Sequence, residues 1–276
     1  MVEKDLLVIH GGENDDVAMS DTWAGKISEE AVSWTRIAKS RELHARQGHV
    51  AAAHEGKCFI FGGVDMMKTF DELHVLDLRS SEEWMTPRTS GRRPTARGNH
   101  GLAVREDMLY VYGGFDGIQH LNDMYMLDLR SMTWQLLLPH AADRQPYPLS
   151  QHVLLPWDDK LISFGGMSSA NHESDAPVSA IDFFSCSDHS PSILVVGGWT
   201  ADHPHPEIAS EAFWYSLEDK SLTSSTWSKG TDKEVFSRVG MSLNSFGRGR
   251  EDECFMFGGW DGFFNRYNDL YRVNRE

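Results

Sequence analysis

The chain has 276 residues, 40% of them hydrophobic and 24% charged, and its 41 acidic against 26 basic residues leave a net charge of −15. That charge repels polyanions and so excludes nucleic acid and anionic membrane as general partners; no apolar run approaches the roughly 18 residues that cross a bilayer, and Met1 to Asp5 lacks the basic start of a secretory signal. Cys58, Cys186 and Cys254 are too scattered and odd in number for a disulfide framework, which points to a reducing compartment, cytoplasmic with the nucleus as the other option.

In chain order, the first predicted strand is LLVIH at 6–10, followed by Gly11-Gly12, and Trp34 stands in the next apolar stretch. Arg46-Gln47-Gly48-His49 then opens a second unit, with CFIF leading into Gly62-Gly63, the alternating strand FDELHVLDL at 70–78, and Trp84. Arg97-Gly98-Asn99-His100 opens a third, with LYVY leading into Gly113-Gly114, LNDMYMLDL at 121–129, and Trp134. Ser150-Gln151-His152 precedes LISF and Gly165-Gly166, and PVSAIDFFSC at 177–186 reads as one more strand. ILVV runs into Gly197-Gly198, Trp227 follows, CFMF runs into Gly258-Gly259, and YNDLYRV at 267–273 is the last predicted strand.

These runs are short, rich in β-branched and aromatic residues, and bounded by Gly, Asp and Ser turns, which is strand grammar. Continuous apolar runs such as LYVY imply burial on both faces. No stretch carries a helical stripe. Glycine pairs allow positive φ and close approach of a neighbouring backbone. A large Trp plate cannot be covered by one small sheet. Sheets of this kind hide both faces by stacking side by side around a ring.

A unit of about 50 residues with Arg-x-Gly-His, an apolar strand ending in Gly-Gly, an Asn-Asp-led strand and a Trp resembles the kelch repeat. The resemblance covers nearly the whole chain and is strongest from Arg46 to Leu138. It is closer to the kelch proteins related to host cell factor and to kelch-type degron receptors than to the BTB-kelch group. It implies an all-β, kelch-type β-propeller of about six blades, one domain over residues 1–276. The pattern breaks at three places. No first strand precedes Leu6, no Trp strand closes the end, and around 167–197 about two strands are missing from the period. Incomplete blades are therefore expected at the termini and around 167–197, as in a fragment of a longer protein or a ring with an irregular seam.

Propeller ligands sit on one face, on loops. By resemblance, kelch proteins that hold peptides use the positions after each Gly-Gly and before each first strand. Here those are Phe115, Asp116, Trp199, Trp260 and Asp261, and Gln47, Arg97, Asn99, Gln151 and Arg238. A basic run, Arg88, Arg92, Arg93, Arg97 and Arg105, stands out from the acidic background and suits an acidic peptide segment, because guanidinium groups bind carboxylates in a bidentate way. His49, His100 and His152 share one repeat position and read as structural, each bonding a turn of its own blade. Asp202, His203, His205 and Glu207 lie on a stiff His-Pro-His-Pro loop, so no metal site is assigned. Cys58 and Cys254, each followed by Phe, read as buried small apolar residues, and Phe59, Phe61, Phe164, Phe255 and Phe257 as core.

No catalytic signature is present: no nucleophile elbow, phosphate loop or His-Glu-x-x-His. The expected function is a scaffold or adaptor that binds a partner protein or short peptide on one face, without cofactor. The alternative is a sugar-directed enzyme of the sialate-mutarotase or galactose-oxidase-like propeller type.

Overall fold

Every described diglycine strand is the partner of at least one antiparallel neighbour. The computed structural model describes residues 2–3, 6–14, 17–28, 31–37, 43–79, 83–137, 147–157, 160–167, 178–181, 192–196, 212–216, 222–224, 242–245, 253–257 and 270–274, and among them the regular structure is all strand. The chain divides into two compact units, Met1–Cys186 and Ser187–Glu276.

In the first unit, β1 (Val2–Glu3) and β2 (Leu6–His10) are followed by a small hairpin, β3 (Glu13–Asn14) with β4 (Val17–Ala18), and then by β5 (Thr22–Ile27) and β6 (Val32–Ile37). The first sheet has the order β1-β2-β5-β6. A two-residue first strand thus exists where the sequence showed none; two residues give no periodicity to read. The second sheet is β7 (Val50–His54), β8 (Lys57–Phe61) and β9 (Leu73–Asp77), with Val75 bridged to Met85 beyond it. The third combines β10 (Ser90–Gly91), β11 (Gly101–Arg105), β12 (Met108–Tyr112), β13 (Met124–Asp128) and β14 (Thr133–Leu137) in the order β10-β14-β13-β12-β11. The fourth holds β15 (Val153–Trp157), β16 (Lys160–Phe164) and β17 (Val178–Ile181).

Among the described residues the second unit has two three-stranded antiparallel sheets. One is β18 (Ser192–Val196), β19 (Ala212–Ser216) and β20 (Leu222–Ser224); the other is β21 (Ser242–Ser245), β22 (Glu253–Phe257) and β23 (Leu270–Asn274). All six predicted diglycine strands therefore fold as strands, and the sheets are blades of the kelch β-propeller type.

Local chemistry sets each blade. The turn between β7 and β8 uses Glu55 and Gly56 at φ 48° and 80°, the doubly positive pattern of a hairpin whose twist matches its strands. β8 and β12 then run inward with Cys58, Phe59, Ile60 and Phe61, and Leu109, Val111 and Tyr112, all buried. The expected inert Cys58 is among them.

Neighbouring blades of the first unit join through three apolar layers. Val8 packs with Leu43, Cys58, Ile60, Leu76 and Trp84 between the first two sheets. Phe59, Phe61, Leu73 and Val75 pack against Leu109, Val111, Tyr125, Leu127 and Trp134 between the second and third. Ala103, Tyr112 and Met124 meet Leu149, Leu154 and Leu161 between the third and fourth. Full burial of each such side chain is worth about 1.5–3 kcal/mol, so these joints are the main source of stability.

Two of the diglycines sit at tight points of the joints. Gly62 has φ +64°, and a Cβ there would lie 2.4 Å from the Arg97 carbonyl of the next blade. Gly113 repeats this with φ +61° and 2.5 Å to the Leu149 carbonyl. Gly117, also at positive φ (+100°), would meet only the Thr69 Oγ1 at 3.8 Å. Left-handed strain costs about 1–2 kcal/mol, and forcing atoms into a packed joint adds about 1–3 kcal/mol. Gly62→Ala is therefore expected to destabilise by roughly 2–4 kcal/mol and Gly117→Ala by about 1 kcal/mol. Urea midpoints of the two variants measure the difference; equal losses would show that backbone strain alone, without the joint, explains the glycine.

Candidate interaction face

Antiparallel register puts the end of each diglycine strand, the start of the first strand and the loop to the third strand on one side of the blades. Val50 and Leu73 both lie opposite Phe61, and Gly101 and Met124 both lie opposite Tyr112.

Two buried arginines hold this side from within. The Arg46 Nη1 donates to the Gly62 carbonyl at 2.8 Å and its Nε to the His44 carbonyl at 3.1 Å, with the guanidinium 4.1 Å above the Phe70 ring. Burial lowers Arg46 to about 10, opposed by Glu72 and Asp65, so it stays charged at neutral pH. The Arg97 Nη1 donates to the Gly113 carbonyl at 2.9 Å and to the Asp123 Oδ1 at 2.6 Å, and Nη2 donates to Oδ2 at 3.0 Å. Its Nε donates to the Thr95 carbonyl. Arg97 is fully buried and its donors are spent inside the fold. A planar fork that satisfies a strand-end carbonyl and a carboxylate together is a structural part of the repeat.

His100 and His152 are buried and His49 partly so, and all three reach across the joint, while His49 also bonds the Arg46 backbone in the turn of its own blade. His49 stands edge-on to His10 at 5.4 Å, His100 to Phe61 at 5.4 Å, and His152 to Tyr112 at 5.1 Å. Each packs on the last aromatic residue of the preceding blade's diglycine strand. Neither ring nitrogen of His100 has a hydrogen-bond partner. Burial holds His49 and His152 at about 4 and His100 well below the usual imidazole value.

One residue before each histidine, Gly48, Asn99 and Gln151 share φ values of 59°, 54° and 57°. The Asn99 N–H donates to the Gly48 carbonyl and the Gln151 N–H to the Asn99 carbonyl, both at 2.7 Å, linking three blades in series. Asn99 and Gln151 are thus equivalent, as expected, while Gln47 stands one place earlier. Gln47 exchanges backbone hydrogen bonds with Val64, as Gly98 does with Phe115 and Ser150 with Met167.

The loops after the diglycines share one build. The Asp65 Oδ1 accepts from the Met67 and Lys68 N–H groups, and the Asp116 Oδ1 accepts from the Ile118 and Gln119 N–H groups. These turns hold both carboxyls below the usual range. Phe115 is half-buried, 5.3 Å from the His120 ring. Both turns push an apolar side chain outward at the same repeat position, Met67 at 91% exposure and Ile118 at 89%, with Met66 at 80% beside the first. Val17 and Met167, on the corresponding loops of the first and fourth blades, are exposed as well. The sequence reading missed these tips. The available signal was an apolar residue two places after the turn Asp in both loops. Trp199, Arg238, Trp260 and Asp261 lie outside the described residues, as do Asp202, His203, His205 and Glu207.

The basic run is dispersed. Arg93 pairs with Asp71 at 3.1 Å, Arg97 is internal, and Arg105 lies 3.8 Å from Glu106, while Arg88 and Arg92 remain exposed. On the opposite side of the blades, His54, Glu55 and Asp107 bring possible metal-ligand atoms within 4.8 Å of one another. Asp107 already pairs with Arg130, and His54 sits 3.3 Å from its other oxygen. This group reads as a clamp in which Asp107 joins Arg130 of its own blade to His54 of the second blade.

The family model described as the KLHDC2/KLHL20/DRC7 Kelch-repeats domain matches residues 1–166 and again 83–190. Acyl-CoA-binding domain-containing protein 5 of Arabidopsis thaliana is 38% identical over 113 residues, 38% of this chain and 17% of that protein. Kelch repeat-containing protein 2 of Saccharomyces cerevisiae is 28% identical over 179 residues, 58% of this chain and 20% of that protein. The leucine-zipper-like transcriptional regulator 1 homolog of Drosophila melanogaster is 30% identical over 150 residues, 52% and 15% respectively. The chain thus spans a fifth or less of the length of these relatives.

Proposed function

Because the chain belongs to the kelch-repeat family, we propose that its first unit is a binding platform that holds a partner protein or short peptide on the loops after the diglycines. One observation carries the reading. The described exposed large apolar side chains concentrate on this side of the blades: Val17, Met19, Met66, Met67, Ile118, Tyr147, Val153 and Met167, against Trp23, Trp34 and Met85 elsewhere. Exposed apolar groups gathered on one side support reading it as an interaction surface, and methionine adapts its shape to what it meets.

The acidic groups at the base of these loops are committed to turns, which favours a surface that grips over one that catalyses. Arg88 and Arg92 are the groups left to meet an acidic stretch of the partner. Trp199, Trp260, Asp261 and Arg238 are proposed as further contacts. Among the described residues no helix is long and apolar enough to cross a membrane. Cysteine usage places the reading in the cytoplasm or nucleus.

Met67→Asp with Ile118→Asp is the test. Exposed tip residues contribute little to folding, within about 0.5 kcal/mol each. The double variant is expected to keep its Tm and to lose at least about tenfold in capture of its principal partner, scored by affinity purification with quantitative mass spectrometry. Unchanged capture would remove this face from the proposal.

A further inference from the structure

We propose that the outer edge of the first sheet, strand β6, takes up an extended polypeptide segment as an added parallel strand, with a glycine seated beside Trp34.

The third sheet supplies the pattern. The outer edge of its last antiparallel strand, β14, is covered by β10, which runs parallel with Ser90 opposite Thr133 and Gly91 opposite Trp134. The Ser90 N–H donates to the Met132 carbonyl at 3.0 Å, and the Ser90 and Thr133 hydroxyls lie 3.0 Å apart. Gly91 has φ +79°, and a Cβ there would stand 2.1 Å from the Trp134 carbonyl. The seat accepts glycine for a steric reason.

Repeat register carries this step to the first sheet. Trp34 lies opposite Gly25 as Trp134 lies opposite Leu127, and Ser33 lies opposite Lys26 as Thr133 lies opposite Asp128. β6 therefore presents a Ser-Trp step where β14 presents Thr-Trp. Among the described residues no strand pairs with the outer edge of β6. Ser33 to Arg36 are exposed, and Trp34 is 38% exposed where Trp134 is 3%. Trp23 belongs to the same sheet face, diagonal to Trp34, and is also exposed. An open edge offers unpaired backbone groups, and two indoles beside it offer an apolar shelf; strand addition uses this combination.

The chemistry of the occupant follows from the chain's own cap, Thr89-Ser90-Gly91-Arg92-Arg93. It is an extended segment with a small residue followed by glycine and with basic flanks, which the −15 net charge of the protein attracts. This edge is separate from the loop face proposed above and does not depend on it.

The probe is a labelled peptide copying residues 86–94, titrated onto the full chain, beside a scrambled peptide of the same composition and a copy carrying Gly91→Val. Expected are saturable binding at least about tenfold tighter than either control and slowed amide exchange over residues 32–37 with none over 133–137. Equal binding of the three peptides, or no protection of 32–37, overturns the proposal. Protection confined to 133–137 would mean exchange with the internal cap and also overturns it. Protection of 32–37 that grows with protein concentration in the absence of peptide would make a second copy the occupant and reject the partner chosen here.

Discussion

Arg97→Ala is expected to lose about 3–5 kcal/mol of stability, with Asp123 and the Gly113 carbonyl left without their donor. The lower end applies, because Asp123 keeps 29% side-chain exposure and water relieves part of its loss. For a domain of this size about 3 kcal/mol lowers Tm by roughly 6–12 °C. Arg97→Lys should recover little, since a single ammonium cannot reach the strand-end carbonyl and both carboxylate oxygens in one plane. Arg46→Ala should cost less, because its carboxylate partner, Glu72, is 3.8 Å away and 36% exposed. Urea unfolding of the three variants gives the order directly. A loss below about 1 kcal/mol for Arg97→Ala would show that the pair behaves as a surface salt bridge.

Acid should open the blade joints well before the carboxylates protonate. His10, His49, His74, His100 and His152 are all held below the ordinary imidazole value, by burial first and by neighbouring cations or histidines after it, except His152, where burial alone lowers it; His49, His74 and His152 lie at about 4. The unfolded chain takes up these protons near pH 6.5, whereas the folded chain resists until about pH 4. Stability is therefore complete above pH 6.5 and falls as pH drops through the window from 6.5 to 4. Each histidine contributes a slope of about 1.4 kcal/mol per pH unit. A Tm series from pH 7.5 to 5.5 should fall steeply, and His100→Phe should flatten it by about one histidine's share. A level series over that interval, where carboxylates have not begun to titrate, would show that the joints tolerate charged imidazole.

The blade strands were legible from the residues because their causes are local. Alternation, apolar runs and Gly-bounded turns placed β8, β9, β12 and β13 within a few residues, and the diglycine spacing revealed the repeat. The candidate face was legible only in part. Asn99, Gln151, Phe115 and Asp116 do stand on one side of the blades, because their positions follow from strand register. Met67 and Ile118 were passed over, since an apolar residue in a turn looks the same on paper whether it points in or out.

What the sequence determined by itself is the unit: strand, glycine pair, strand, tryptophan, each set by neighbours along the chain. What only the tertiary structure decided is which way the shared side chains face. Arg97 turns inward to a carbonyl 16 residues away and a carboxylate 26 away, and His100 leans on Phe61 of the preceding blade. Trp134 is buried by that blade while Trp34, the same repeat position, stays open. The physical reason is that burial and hydrogen bonding at a joint are properties of two blades together, and neither blade's residues specify them alone.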